Sequence, residues 1–286
     1  MDKYLLITAA HNEQDFIEKT IISVINQDYK PAEWVIVSDG STDETENIVK
    51  KYTLRYSFIK LIVNDRKEGR NFASKVYALN TGIKSIINKD YKYIGILDAD
   101  VSFDSNYYSS LIKEFNKNSK LGIAGGDYFD IVNQKKIHIK ASLFSVRGAT
   151  QFFRRECFEQ IGGIQPIKYG GEDALACYAA RMNGWEINNI DYLTVLHHRP
   201  TGLTGKNILK TRFRDGLVEY SLGYHPLFQF VKCIKRLTEK PLFIGSVLRF
   251  LGFWTKMIKS EKRTVPEELL NYIKHEQFKR IVRIHY

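Results

Sequence analysis

The feature that most constrains the fold is an alternation, in the first hundred residues, of short β-rich runs with segments of helical periodicity. The strand-like runs are Tyr4–Thr8, Trp34–Ser38, Ile59–Val63 and Tyr93–Leu97. Between them, apolar residues recur at intervals of three and four, which is typical of amphipathic helices. Consecutive strand–helix–strand units predict a mostly parallel sheet with helices on its faces.

After residue 100 the pattern changes. A helix is expected near Tyr107 to Asn116, a strand at Leu121 to Gly125, and the alternation Ile137-His138-Ile139 indicates a further strand, so we predict a mixed sheet. From about Thr204 the strand patterns disappear and helical patterns dominate. We therefore expect an α/β domain at residues 1–203 and a basic, amphipathic helical region at residues 204–286.

Composition argues for a folded globular protein, and the net charge bears on its partners. The chain has 286 residues, of which 44% are hydrophobic and 26% charged, as in ordinary globular proteins. Its net charge of +11 favours polyanionic partners in general, among them nucleic acid, anionic lipid and nucleotide diphosphates. No nucleic-acid-binding signature accompanies this charge, so we expect no nucleic-acid partner.

Cysteines and the amino terminus bear on location. Cys157, Cys177 and Cys233 form no CxxC pattern, which argues against a disulfide framework or a zinc site and fits a reducing compartment. The apolar run from Tyr4 to Ala10 is too short for a secretory signal. We expect a cytoplasmic protein, with a peripheral position on the inner face of the membrane left open.

Two carboxylates end the fourth strand-like run, as Asp98-Ala99-Asp100. In open α/β sheets, ligands bind beyond the carboxyl ends of the strands, and divalent cations that bridge phosphates prefer carboxylate ligands. The same spacing also serves turns and helix caps. Alone, the motif leaves a metal–diphosphate site and a structural turn as alternatives.

Three other polar segments complete an ordered set with this motif: Ala9–Glu13, Ser38–Asp43 and Gly170–Asp173. Together the four segments resemble family 2 glycosyltransferases of GT-A fold, over about Leu5 to Arg199. The resemblance implies a Rossmann-like, mostly parallel sheet. It also implies a catalytic domain at 1–203, with a nucleotide-binding half at about 1–100 and an acceptor half at about 101–203.

The resemblance implies nucleoside contacts in the first two segments. His11 and Glu13 stand where the family holds the nucleoside, and Ala9 replaces the family's usual proline. Alternatively, Asn12 and Glu13 simply begin a helix. Asp39 can accept a hydrogen bond from the imide of uracil, which favours a UDP-sugar, although Asp39-Gly40 is also a good turn.

Phosphate and metal contacts follow from the same resemblance. Arg70 and Lys75 fall where the family carries basic residues beside the nucleotide, and they can balance diphosphate charge. Asp100 is the stronger candidate ligand for Mg²⁺ or Mn²⁺, while Asp98 meets the ribose or the metal. His197 is expected to complete the metal shell, or else to be a partly buried hydrogen-bonding residue.

Glu172 and Asp173 are expected to open a helix, where acidic residues also serve as caps. The resemblance makes Asp173 the general base that deprotonates an acceptor hydroxyl, with inversion at the sugar, and Glu172 a residue that orients Asp173 or binds the acceptor. Arg154 and Arg155 are weak candidates for binding an anionic acceptor.

The expected function is transfer of a single sugar from a nucleotide-sugar to a glycan or lipid-linked glycan. The chain lacks the Gln-x-x-Arg-Trp segment of processive synthases. Alternatives are a sugar-nucleotide nucleotidyltransferase and an inactive sugar-nucleotide-binding protein. The C-terminal aromatic and basic residues suit an anionic membrane surface or ordinary packing, and the oligomeric state is left open.

Overall fold

A computed structural model describes residues 2–65, 73–140, 142–200 and 208–282. The chain divides into two compact units. Unit 1 comprises Met1–Pro166 and Glu172–Pro200, and unit 2 comprises Ile167–Gly171 and Thr201–Tyr286. The expected boundary at residue 203 lies outside the described residues.

Unit 1 is built on one mixed sheet. Its strands in chain order are β1 (Tyr4–Ala10), β2 (Glu33–Asp39), β3 (Ile59–Asn64), β4 (Tyr93–Leu97), β5 (Val101–Phe103), β6 (Leu121–Val132), β7 (Lys135–Ile139), β8 (Thr150–Arg154) and β9 (Glu186–His197). Their spatial order is β3-β2-β1-β4-β8-β6-β9-β5, and β7 pairs with β6. This confirms the predicted α/β class with a mixed, Rossmann-like sheet.

Strand direction places the loops that matter. β1 to β4 run parallel, so the segments after Ala10, Asp39 and Leu97 meet at one edge of the sheet. β8 is antiparallel to β4 and to β6, whereas β9 runs parallel to β6 and places His197 beside Asp130.

Helices cover both faces of this sheet. They are α1 (Ile17–Ile25), α2 (Thr45–Thr53), α3 (Ser74–Ser85), α4 (Tyr107–Lys117), α5 (Arg155–Gln160) and α6 (Glu172–Met182). Alternate residues of β1 enter different core layers: Tyr4 and Leu6 pack in the layer of α1 and α4, and Leu5 and Ile7 in the layer of α3, α5 and α6. This two-sided burial explains why the central strands read as nearly continuous apolar runs.

Two helix starts differ from the expectation. Asn12 does not cap α1, because its φ is 55° and the helix is preceded by Phe16. Ser41 and Glu44 stand at capping-box spacing, which predicts a capped start for the second helix. This prediction is wrong, because α2 follows Glu44 without a side-chain cap. Instead Asp43 accepts a hydrogen bond from the backbone N–H of Thr45 at 3.0 Å.

The described part of unit 2 is helical. Its helices are α7 (Ile208–Ser221), α8 (Pro226–Lys235), α9 (Ile244–Ile258) and α10 (Glu267–Val282). α7 and α9 cross closely at glycines, since a Cβ on Gly216 would lie 2.0 Å from the carbonyl oxygen of Arg249. Arg249 itself is buried and donates to Asp215 at 2.6 Å.

Among the helices of residues 2–65, 73–140, 142–200 and 208–282, none combines the length and the apolar character needed to cross a membrane.

Candidate functional site

A cleft of about 150 Å³ opens at the sheet edge where β1, β2 and β4 end. The residues that line it are Ala9, Ala10, His11, Glu13, Asp39, Lys75, Asp98, Ala99, Asp100 and Arg199. Seven residues predicted for the donor site are thus brought together, from three strand ends and from helix α3. The parallel strand order explains this convergence, because it aligns the carboxyl ends of the strands.

Hydrogen bonds join the loop after β1 to the loop after β2. Thr42 donates its backbone N–H to Oδ1 of Asn12 at 2.8 Å, and the backbone N–H of Glu13 donates to Oγ1 of Thr45 at 2.7 Å. Nδ1 of His11 lies 2.8 Å from the carbonyl oxygen of Asp39. These contacts fix the predicted nucleoside residues relative to one another.

Asp98 forms an ion pair with Lys75, with Nζ 2.6 Å from Oδ1. Burial lowers the pKa of Lys75, but the charges of Asp98, Glu172 and Asp173 outweigh burial and raise its pKa above the ordinary value. Burial raises the pKa of Asp98, and the nearby charge of Asp100 acts in the same direction. Lys75 therefore compensates part of a dense cluster of acids.

Asp100 lies between two basic side chains. Its Oδ1 is 3.5 Å from Nε2 of His197, and its Oδ2 is 3.9 Å from Nε of Arg199. Burial raises the pKa of Asp100, but His197 and Arg199 outweigh it, so this pKa lies below the usual value. Within the described residues, Oδ1 of Asp100 is buried and has no hydrogen-bond partner.

Asp130 was missed by the sequence reasoning. It is buried on β6, opposite His197 on β9, and its Oδ1 lies 2.9 Å from Nδ1 of His197. Burial lowers the pKa of His197, but contacts with Asp100 and Asp130 raise it above the ordinary value. No local signal marks Asp130, because only the strand register brings it to a histidine 67 positions away.

Arg199 was also not predicted for the cleft. Its guanidinium pairs with the carboxylate of Glu13 and lies 5.3 Å from the ring centre of Phe16. Burial raises the pKa of Glu13 to about 7, although Arg199 favours the ionised form. The motif His197-His198-Arg199-Pro200 was visible in the sequence, but its approach to Glu13 was not.

Glu172 and Asp173 begin α6, as expected. Oδ2 of Asp173 accepts from the backbone N–H of Gly148 at 3.2 Å, and its Oδ1 accepts from the N–H of Ala174 at 2.8 Å. Burial raises the pKa of Glu172. The positive charge of Lys75 lowers this pKa, and the negative charge of Asp173 raises it further. Both acids lie outside the residues that line the cleft but are coupled to it through the charge of Lys75.

The two candidate acceptor arginines have structural contacts instead. Arg154 is buried and donates to the carbonyl oxygens of Phe115, Asn118 and Leu121. Arg155 pairs with Glu159 and donates to the carbonyl oxygen of Lys89. These contacts occupy the buried side chain of Arg154 inside unit 1, and the acceptor role of both arginines stays a prediction.

Arg70, predicted to bind the diphosphate, lies outside the described residues. Its position relative to the cleft therefore stays a prediction.

Solved structures share this fold. A mannosyltransferase from Pyrobaculum calidifontis, in complex with GDP-Man and Mn²⁺, has a TM-score of 0.58 at 16% identity, covering 100% of this chain and 81% of that chain. Staphylococcus aureus TarS 1–349, in complex with UDP-GlcNAc, has a TM-score of 0.55 at 15% identity, covering 90% and 73%. The fold is that of the GT-A glycosyltransferases, as the sequence predicted.

Sequence comparison identifies the family. Residues 5–169, more than half of the chain, match Glycosyl transferase family 2. The chain belongs to this family, which confirms the resemblance.

Curated relatives match a shorter stretch. Poly-beta-1,6-N-acetyl-D-glucosamine synthase of Staphylococcus epidermidis is 33% identical over 123 residues, which is 42% of this chain and 27% of the relative. The protein of the same description from S. aureus strain MSSA476 is 35% identical over 121 residues, with the same coverage. The match thus spans about a quarter of the length of these relatives.

Proposed function

We propose that this protein transfers a single sugar from a nucleotide-sugar donor to a hydroxyl group of a glycan or lipid-linked glycan. The observation that supports this most strongly is the cleft. Four carboxylates and two basic side chains, contributed by separate strand ends and helices, surround one cavity: Glu13, Asp39, Asp98, Asp100, Lys75 and Arg199. Such a cleft can hold a polar nucleoside and a charged diphosphate.

The donor is proposed to be a UDP-sugar. Asp39 lies at the end of β2 and lines the cleft, where its carboxylate can accept the imide N–H of uracil. The loops around His11 and Glu13 are held in place for ribose or base contacts. Because the curated relatives are described as synthases of an N-acetylglucosamine polymer, UDP-N-acetylglucosamine is the first donor to test.

The residues present fit a divalent cation. Oδ1 of Asp100 is buried without a hydrogen-bond partner in the described chain, and Nε2 of His197 is 3.5 Å away. A hydrogen bond from Nδ1 of His197 to Asp130 would leave Nε2 of His197 available to a metal. This arrangement is common around metal-binding histidines.

The described residues contain no cluster of three or more acidic, histidine or cysteine side chains placed for a metal. Two protein ligands suit Mg²⁺ or Mn²⁺, which commonly complete their shells with phosphate oxygens and water. A cation at Asp100 and His197 would stabilise the charge on the departing diphosphate.

Other side chains have separate roles in this proposal. Lys75 holds Asp98 through their ion pair, and Asp98 contacts the ribose or the metal in the donor complex. When the donor binds, Arg199 leaves its ion pair with Glu13 and pairs with the diphosphate.

Asp173 accepts the proton of the acceptor hydroxyl as that oxygen attacks the anomeric carbon, and Glu172 orients the acceptor. Attack from the face opposite the diphosphate inverts the configuration. Since the N–H groups of Gly148 and Ala174 hold the Asp173 carboxylate, its direction is fixed before substrate arrives.

Donor turnover and transfer test this proposal. Asp173→Asn is expected to bind UDP-N-acetylglucosamine as wild type does and to lose transfer by roughly 100-fold to 10,000-fold, the usual contribution of a general base. Asp191→Asn, an exposed acid outside the cleft, is the matched control and is expected to retain activity. Wild-type transfer by Asp173→Asn would place the base elsewhere. Donor binding without turnover by the wild-type chain would indicate an inactive binder.

A further inference from the structure

Helix α8 of unit 2 exposes an apolar stripe. Leu227, Phe230 and Ile234 are each 46% to 50% exposed and follow one another at intervals of three and four residues. The opposite side of the helix is buried through Gln229 and Cys233. α8 therefore has one face inside unit 2 and one apolar face in solvent.

Helix α9 repeats the arrangement over a greater length. Ile244, Val247, Leu251 and Ile258 are between 47% and 79% exposed. With 3.6 residues per turn, these four positions fall within about 60° of the helix circumference. The buried side of α9 contains Gly252, which approaches α7 closely.

Helices α8 and α9 contact each other beside these stripes. The rings of Phe230 on α8 and Phe250 on α9 are 6.3 Å apart in an edge-on arrangement. The connecting segment adds Leu242 and Phe243, which are 53% and 62% exposed. We call the exposed residues of both helices and their connection the apolar face: Leu227, Phe230, Ile234, Leu242, Phe243, Ile244, Val247, Leu251 and Ile258.

The charges around the apolar face have one dominant sign. Residues 226–260 contain seven basic residues and a single acid, Glu239. Of the basic residues, Lys235, Lys240 and Lys259 are exposed. The other four form ion pairs: Lys232 with Glu219, Arg236 with Glu239, Arg249 with Asp215 and Lys256 with Glu261. The three exposed lysines therefore supply the positive charge beside the apolar face.

We propose that the apolar face of unit 2 docks on an anionic lipid surface, with α8 and α9 lying in the plane of the interface. Amphipathic helices with apolar side chains on one face and lysines beside them bind such surfaces by combining burial with electrostatic attraction. A second copy of the chain is a poorer occupant, because it would bring two surfaces of the same sign together. This inference does not depend on the transfer reaction.

Vesicle flotation with the full chain tests the proposal, using phosphatidylcholine vesicles with and without phosphatidylglycerol. We expect binding to the anionic vesicles and a large decrease at high salt, because exposed charges are screened. Replacing Leu227, Ile234, Val247 and Leu251 together by serine is expected to weaken binding by roughly 100-fold, since each loses partial burial of a large side chain.

Matched variants separate this surface from general effects. Leu54→Ser and Ile87→Ser remove exposed apolar residues of unit 1 and are expected to bind vesicles as wild type does. Lys235, Lys240 and Lys259 changed together to glutamine are expected to lose the preference for anionic lipid, whereas Lys51, Lys113 and Lys120 changed in the same way keep it. Thermal melting shows that each variant is folded.

Two results would overturn the proposal. One is vesicle binding by the quadruple serine variant equal to that of wild type. The other is absence of vesicle binding combined with a concentration-dependent dimer, measured by sedimentation, that the serine substitutions abolish. If the wild-type chain binds anionic vesicles but transfers no sugar, the proposed function is contradicted and this inference still stands.

Discussion

Arg154 provides a test of the distinction between a buried structural arginine and a ligand-binding one. The sequence places it where an anionic acceptor could bind, whereas the structure gives it three carbonyl acceptors. Nε donates to Leu121 at 3.0 Å, and one terminal nitrogen donates to Phe115 at 2.7 Å and to Asn118 at 3.1 Å. We therefore predict that Arg154→Met chiefly lowers the free energy of unfolding.

The expected magnitude follows from these contacts. The substitution removes the side-chain donor of three carbonyl groups at the end of α4 and the start of β6, of which that of Asn118 keeps the backbone N–H of Leu121 at 3.1 Å. Hydrogen bonds that involve a charged group contribute about 1.5–3 kcal/mol each, and Met avoids the cost of burying a guanidinium. A net loss of about 3–5 kcal/mol is expected, which corresponds to a decrease of roughly 10 °C in Tm.

Chemical denaturation of wild type and Arg154→Met measures this change, with Arg155→Met as the matched control. Arg155 pairs with an exposed glutamate and is expected to cost about 1 kcal/mol or less. UDP-N-acetylglucosamine binding is expected to be unchanged in both variants below their melting temperatures. An unfolding free energy of Arg154→Met within about 1 kcal/mol of wild type would refute the structural role.

Three further predictions concern buried groups. Asp130→Asn is expected to weaken Mn²⁺ binding in the presence of UDP by about 10-fold to 100-fold, measured by electron paramagnetic resonance, while Asp127→Asn on the same strand does not; equal affinities would contradict the role of Asp130. Glu13 has a pKa of about 7 against an ordinary value of 4.5, so its folded state retains a proton that the unfolded state releases. Unfolding free energy in metal-free buffer is therefore expected to fall by about 3 kcal/mol as pH rises through this window, and Glu13→Gln should lack that fall; parallel curves would show that Glu13 stays ionised beside Arg199. Burial raises the pKa of the free thiols of Cys157, Cys177 and Cys233 to about 11 or 12. Iodoacetamide at mildly alkaline pH is therefore expected to label them only after unfolding, as mass spectrometry can show. Rapid labelling of the native chain would contradict their burial.

The sequence was sufficient for the sheet core because local signals and tertiary burial agree there. The runs at Tyr4, Trp34 and Tyr93 are buried on both sides, and each became a central strand. The strand ends then placed Asp39 and Asp98 at one cleft without further information. Local and global preferences coincide at these positions.

Other features depend on contacts between distant parts of the chain. Asn12 reads as a helix cap, but its side chain accepts from Thr42 in the neighbouring loop, and α1 starts later. Asp130 and Arg199 belong to the site only through contacts with His197 and Glu13, which lie 67 and 186 positions away. Periodicity and capping rules describe neighbours in sequence, so they contain no information on such pairs.

The proposed function requires that the cleft hold a nucleotide-sugar diphosphate through a cation at Asp100. The most direct measurement is the change in Tm caused by UDP-N-acetylglucosamine with Mn²⁺, compared between wild type and Asp100→Asn, with the exposed Asp104→Asn as control. Ligand and metal together are expected to raise the Tm of wild type and Asp104→Asn, because binding to the folded state stabilises it. Asp100→Asn should lose the part that requires Mn²⁺. An Mn²⁺-dependent increase in the Tm of Asp100→Asn equal to that of wild type would contradict this requirement.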